Sequence, residues 1–328
     1  MARRRRRCYS GIGGQAVLEG VMMKNQEKYA VAVRRPNGEI VLELENYQGL
    51  LHGNVLNRIP FVRGIFNFID SMVLGMKCLN YSALVEDVEE GQEEGTPSAD
   101  SGKGGEKLKS ALVTIASIVL AIGLFVVLPY YVASLIGSRL HNTSLLAIIE
   151  GLIRIVVFIL YVWGISAMKD IKRLYQYHGA EHKCINCIER GRPLTVHNVM
   201  KSSRLHKRCG TSFIFFVLFI SIVLFFFIRV ENPAQRVLLR IALLPVVAGI
   251  SYEILRLAGR GDNLFVRIIS APGMLVQRMT TKEPDRAMAE VAIAAVEAVF
   301  DWRKYLVENF GYQEETATAE SGEQSRET

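Results

Sequence analysis

An N-terminal secretory signal is missing: five consecutive arginines, Arg3 to Arg7, lead into a Gly-rich turn and not into the apolar core of about 7–15 residues that such a signal needs. Gly11, Gly13 and Gly14 lack the Lys-Ser/Thr of a phosphate loop and the full spacing of a dinucleotide fingerprint, so they read as a structural turn. The formal charge of +7 has neither a recognition helix nor an aromatic RNA-binding motif beside it, and nucleic acid is not an expected partner. Cysteine is scarce, five in all, and three of the five fall between residues 184 and 209. In a reducing compartment that grouping points to metal in preference to disulfides, while Cys8 and Cys78 stand apart as plain thiols. No internal repeat is found.

Long apolar runs are what the chain has in abundance. Residues 111–136 are uncharged, enough for a helix to cross a ~30 Å hydrocarbon layer. Three further runs cover about 148–168, interrupted by Glu150 and Arg154, 211–228, rich in Phe, and 237–255, containing Arg240, Pro245 and Glu253. The connection 169–210 holds ten Lys and Arg, against one in 137–147 and two in 229–236. By the positive-inside rule that connection and both termini are expected on the cytoplasmic side of a bacterial cell membrane. The fold class expected is an all-α integral membrane protein with about four transmembrane helices and a small β-containing cytoplasmic N-terminal unit, its basic face against membrane lipids.

Around this domain (109–258), the flanks divide by composition. Residues 1–58 predict a β-rich unit, with YAVAVRR and EIVLELE alternating on either side of Pro36-Asn37-Gly38, a good hairpin turn. Residues 59–85 carry large apolar side chains at helical spacing, and Arg63 and Asp70 favour an amphipathic helix at the membrane surface over a fifth span. The acidic stretch 86–108 and the tail 312–328 have too few apolar residues to offset the entropy of ordering. Between the last run and the tail, 259–311 predicts cytoplasmic amphipathic helices, the first broken at Pro272-Gly273.

The chemistry is concentrated in 169–210. His178-Gly-Ala-Glu181-His182 places two imidazoles one turn apart if the second span continues as a helix, with Glu181 beside them as the general base for a hydrolytic water. Cys184-x-x-Cys187 and His206-x-x-Cys209 offer a competing set, a zinc ribbon with one Cys replaced by His. A single site at the cytoplasmic surface, built from His178, His182, His206 and Cys209, is the economical alternative, because both pairs flank predicted spans. Without a metal, these histidines are simply hydrogen-bonded at a headgroup surface. Thr195 predicts a helix N-cap that leaves His197 on the surface, and His52 and His141 have no partners in sequence. Glu150 and Arg154, an i, i+4 pair of opposite sign, read as an internal lock between helices. Glu253 is expected near the metal loop, unless Arg256 neutralises it.

GGQAVLEGVMMK, RGIFNFIDSMVLGMKCLNYSA, YHGAEHK, SRLHKRCGTSF and TTKEP followed by EVAIAA together resemble the YqhQ family over nearly the whole chain. That family is a group of bacterial membrane proteins of unknown function labelled predicted metal-dependent enzymes. The resemblance implies roles for His178, Glu181, His182, His206 and Cys209, and for Gln15 and Glu19 in the first motif. It does not extend to Cys184 and Cys187, which weakens the zinc-ribbon reading. The expectation is a membrane-embedded, zinc-dependent hydrolase acting on a lipid or membrane-protein substrate, in which three of the four ligands hold the metal. The other expectation is a scaffold or assembly factor stapled by a structural metal.

Overall fold

The computed structural model describes residues 8–50, 55–87, 103–137, 143–228, 230, 232–260 and 264–313. Arg3 to Arg7, His52, His141, and most of the acidic stretch and the tail lie outside these residues. Strands β1 (Gly13–Val17), β2 (Gly20–Asn25), β3 (Lys28–Arg34) and β4 (Ile40–Asn46) form one antiparallel meander in that order. The Pro36-Asn37-Gly38 turn is present between β3 and β4, and Gly38 takes the positive φ that glycine accommodates. Two further strands precede that hairpin, and β1 starts at Gly13 and Gly14, read above as part of a turn. β3 is apolar on both faces because both are covered.

Helix α1 (Val62–Asp87) lays Leu74, Cys78 and Val85 on the face formed by Val17, Met22, Tyr29, Val31 and Val33. The alternate residues Val21, Met23, Ala30 and Ala32 face the other way, into a larger core. Full burial of each such valine is worth about 1.5–3 kcal/mol.

The candidate spans are Leu112–Ile136, Leu145–Ile165, Gly210–Phe227 and Val237–Ala258, each long and apolar enough to cross a membrane and each close to its expected position. The first is built from α2 (Lys103–Ile122), a wide turn over Gly123–Val127 and α3 (Leu128–Gly137). The second is α4 (Thr143–Ile165).

After a three-residue turn at Ser166, Ala167 and Met168, the chain starts a separate helix, α5 (Lys169–Glu189), and a short one, α6 (Val196–Met200), follows. The connection expected as a loop is therefore largely helical, and the two histidines stand on a helix of their own instead of an extension of the span. Helix α5 stops at Arg190, followed by Gly191 at φ 72° and then Pro193, which cannot donate to a continued helix. Thr195 does cap α6, accepting from the Asn198 N–H.

Helices α7 (Gly210–Phe227) and α8 (Pro233–Arg260) complete the candidate spans, and α9 (Leu264–Thr280) runs unbroken through Pro272-Gly273, whose glycine lies against Ser212 of α7. Helix α10 (Arg286–Val299) then packs with α5 over the sheet through Ala289, Ala292 and Val296, and α11 (Trp302–Phe310) closes the chain. Glu253 of α8, expected beside the 169–210 connection, is taken up by α1. It binds Arg63 of α1 through two bonds of 2.7 and 2.6 Å, with Arg256 at 4.0 Å. The bidentate geometry of that guanidinium explains the preference.

Candidate metal centre

Helix α5 brings His178 and His182 onto one face, and Cys209 meets them from the start of α7. The ring nitrogens of the two histidines and the Cys209 sulfur all lie within 4.8 Å of one another. A tetrahedral ion with bonds of about 2.0–2.3 Å separates its ligand atoms by roughly 3.5 Å, so a contraction of the set suffices to close on one ion. His178 Nε2 already stands 3.1 Å from Cys209 Sγ.

Each imidazole is oriented by a carbonyl oxygen, which can only accept. His178 Nδ1–H donates to Thr280 O over 2.9 Å, and His182 Nδ1–H to Arg204 O over 2.7 Å. Those bonds fix the tautomer that leaves a lone pair on each Nε2, the arrangement typical of metal-ligating histidines. The Thr280 carbonyl ends α9, where helix carbonyls have no partner within the helix. Gly179 permits this approach: a Cβ at that position would collide with the Lys282 carbonyl oxygen.

Burial would raise the Cys209 thiol, but the His178 and His182 rings outweigh it and hold the group well below the usual thiol range. The N-terminus of α7 adds to that, with Thr211 N–H donating to Sγ at 3.4 Å. Burial works against the His178 cation, yet Cys209 raises the ring to about 9. A proton held between His178 Nε2 and Cys209 Sγ is the one an arriving cation displaces. Glu181 is outside the set of converging atoms. Its burial raises its carboxyl, against the pull of both imidazoles and an N–H bond from Gly14 of β1.

His206 is not brought into the set. Its ring lies 5.8 Å from that of His182, but its Nε2 faces Glu189 at 3.3 Å. Cys184 and Cys187 of α5 are wholly buried in the core it shares with α10 and are not in the converging set. Gln15 rests against Gly75 of α1, and Glu19 pairs with Arg173 and reaches Tyr177 at 3.3 Å; neither belongs to the converging set.

The sequence matches the family described as "Protein of unknown function (DUF1385)" over residues 59–302. It is also 36% identical, over 285 residues, to the "Uncharacterized protein YqhQ" of Bacillus subtilis (strain 168), covering 86% of this chain and 89% of that protein. The chain belongs to the YqhQ (DUF1385) family. No solved structure matches it.

The YqhQ-family site has supports that sequence reading missed. Gln277 clamps the His206 backbone on both sides, accepting from its N–H at 3.0 Å and donating to its carbonyl at 2.7 Å, and donates to Ser212 Oγ at 2.8 Å. Lys183 and Asn186 hold the 200–205 segment by four bonds to carbonyl oxygens. Glu189 gathers His206, Arg208 and Ser10. A helical reading of 178–189 finds some of these, since His178, His182, Asn186 and Glu189 follow one another at spacings of four, four and three. Gln277 carries no such signal.

Proposed function

We propose that the chain is a multi-pass protein of the bacterial cell membrane, with both termini and the α5–α6 segment cytoplasmic. At that face, His178, His182 and Cys209 hold one zinc ion for hydrolysis of a lipid or membrane-protein substrate. The observation that carries this reading is the convergence of two carbonyl-oriented Nε2 atoms and one depressed thiol on a single point. Two imidazoles and a thiolate suit zinc, and three protein ligands leave one position open, as in catalytic sites. A bound zinc supplies Lewis acidity there. Glu181, held in place by the Gly14 N–H, takes the proton of the attacking water at its carboxylate and returns it to the leaving group. Arg204, whose carbonyl orients His182, couples the site to Thr281 and Glu283 of the TTKEP segment. The ten Lys and Arg of 169–210 support its placement against anionic lipid.

One observation favours a structural metal: Glu181, His182 and Cys209 are only 4%, 1% and 6% exposed. Glu181→Gln separates the two readings. Elemental analysis of detergent-purified protein is expected to give about one zinc per chain in the parent and in Glu181→Gln, and none in His178→Ala. A hydrolase loses turnover of lipid-ester or membrane-peptide probes by about 100-fold or more in Glu181→Gln, whereas a staple leaves such a variant indistinguishable from the parent. Equal zinc in the parent and His178→Ala overturns the site itself.

A further inference from the structure

A second cluster of charge lies among the candidate spans and takes no part in the metal centre. Glu150 and Arg154 of α4 and Arg240 of α8 are 2%, 6% and 7% exposed, and Ser221 of α7 joins them. Glu150 accepts from Arg154 at 2.9 Å and from both terminal nitrogens of Arg240. Arg154 also donates to Ser221 Oγ at 3.3 Å and to Phe125 O at 2.9 Å, a carbonyl in the wide turn Gly123–Val127. Such turns break the regular ladder of helix bonds. The Phe225 ring faces both guanidiniums, at 5.6 and 5.1 Å.

The charge does not balance. Two guanidiniums surround one carboxylate, leaving one positive charge without a counter-charge among the described residues. Of the ten N–H bonds that two guanidiniums carry, five have acceptors, and Arg240 Nε–H has none among the described residues. Uncompensated charge away from water is costly, and in a membrane such groups mark ligand sites.

The depth of the cluster selects the ligand. Arg240 stands three residues inside Val237, where the apolar stretch of α8 begins, or ~4.5 Å along the axis. Arg154 stands nine residues inside Leu145, or ~13.5 Å. Glu150 thus bridges a deep arginine to one within reach of the headgroup layer. Ser221 is twelve residues from Cys209 along α7, ~18 Å, so the cluster occupies the half of the bundle away from the metal residues.

We propose that Glu150, Arg154 and Arg240 form an anion site that takes the phosphate of an anionic phospholipid, one whose headgroup carries no cation of its own, from the leaflet opposite the metal centre, with Arg240 as the contacting group. Guanidinium and phosphate are matched in charge and in bidentate geometry. The proposal rests on reading the four helices as spans.

The test is the thermal midpoint of the full chain in nanodiscs of phosphatidylcholine alone, of phosphatidylcholine and phosphatidylglycerol in equal parts, and of phosphatidylcholine with inorganic phosphate in the buffer. The parent is expected to gain stability with phosphatidylglycerol, and Arg240→Met, which leaves a neutral pair, is expected to lose that gain. Short-chain phosphatidylglycerol should bind Arg240→Met at least ~10-fold more weakly. An equal gain from inorganic phosphate makes free phosphate the occupant and supports the same chemistry. No gain from either anion, or the same gain in Arg240→Met, overturns the site. Should Arg240→Met fail to fold, Glu150→Gln raises the excess charge and must enlarge the anion effect; an unchanged effect is fatal to the proposal. A chain that stays in the aqueous fraction instead of entering nanodiscs refutes the span reading, a result distinct from all of these.

Discussion

Helix α7 connects two groups of buried polar side chains with opposite needs. At its start, His178, His182 and Cys209 present lone pairs and a thiol held below its ordinary range, a surplus of electron donors around one point. In its middle, Arg154 and Arg240 surround Glu150 with a surplus of N–H bonds and positive charge. In the first group the outward nitrogens are held by carbonyl oxygens, and the inward ones face the Cys209 sulfur. In the second the charged groups largely satisfy each other. The contrast teaches that a buried polar cluster is read by what remains after internal pairing: the first calls for a cation, the second for an anion.

Removing one ligand is the severest way to break the first group. His182→Ala leaves a two-ligand site, and zinc measured by elemental analysis is expected to fall from about one per chain to below about one-tenth. The second group breaks at its only carboxylate. Glu150→Ala strands two guanidiniums and should cost about 3–5 kcal/mol, seen as a lower midpoint in a thermal melt in detergent. Gln277→Ala sharpens the comparison, because it touches neither ligand nor charge. Loss of its three bonds should cost about 2–3 kcal/mol in the same melt and weaken zinc about tenfold in a chelator competition. The smallest effect belongs to Cys184→Ala with Cys187→Ala: about 1–2 kcal/mol of packing lost and zinc content unchanged. Zinc lost with that pair would return the site to a ribbon.

The long apolar helices were the most legible part of the sequence, since composition alone reports a run long enough to cross lipid, and all four candidate spans appear within a few residues of expectation. The hairpin around Pro36-Asn37-Gly38 was equally readable from its turn residues. Strands β1 and β2 were not, because Gly13 and Gly14 resemble a loop until a partner strand pairs with them. The helical character of 169–189 was hidden by its charges, which suggest a solvated connection although residues 179–189 are buried. His178, His182 and Cys209 followed from motif and spacing, whereas the turn of His206 toward Glu189 depends on packing between segments seventeen residues apart. The Glu150–Arg154 pair was visible at i, i+4, but Arg240 lies ninety residues away from Glu150, and no local pattern announces it.

The carbonyl that orients His178 belongs to Thr280, and the N–H that steadies Glu181 belongs to Gly14. The centre is therefore assembled from both ends of the chain. During synthesis, a ribosome that has completed all four spans has not yet made the residue that fixes the first imidazole. A metal held there as proposed could be captured only in the last quarter of translation, after the four candidate spans have been made.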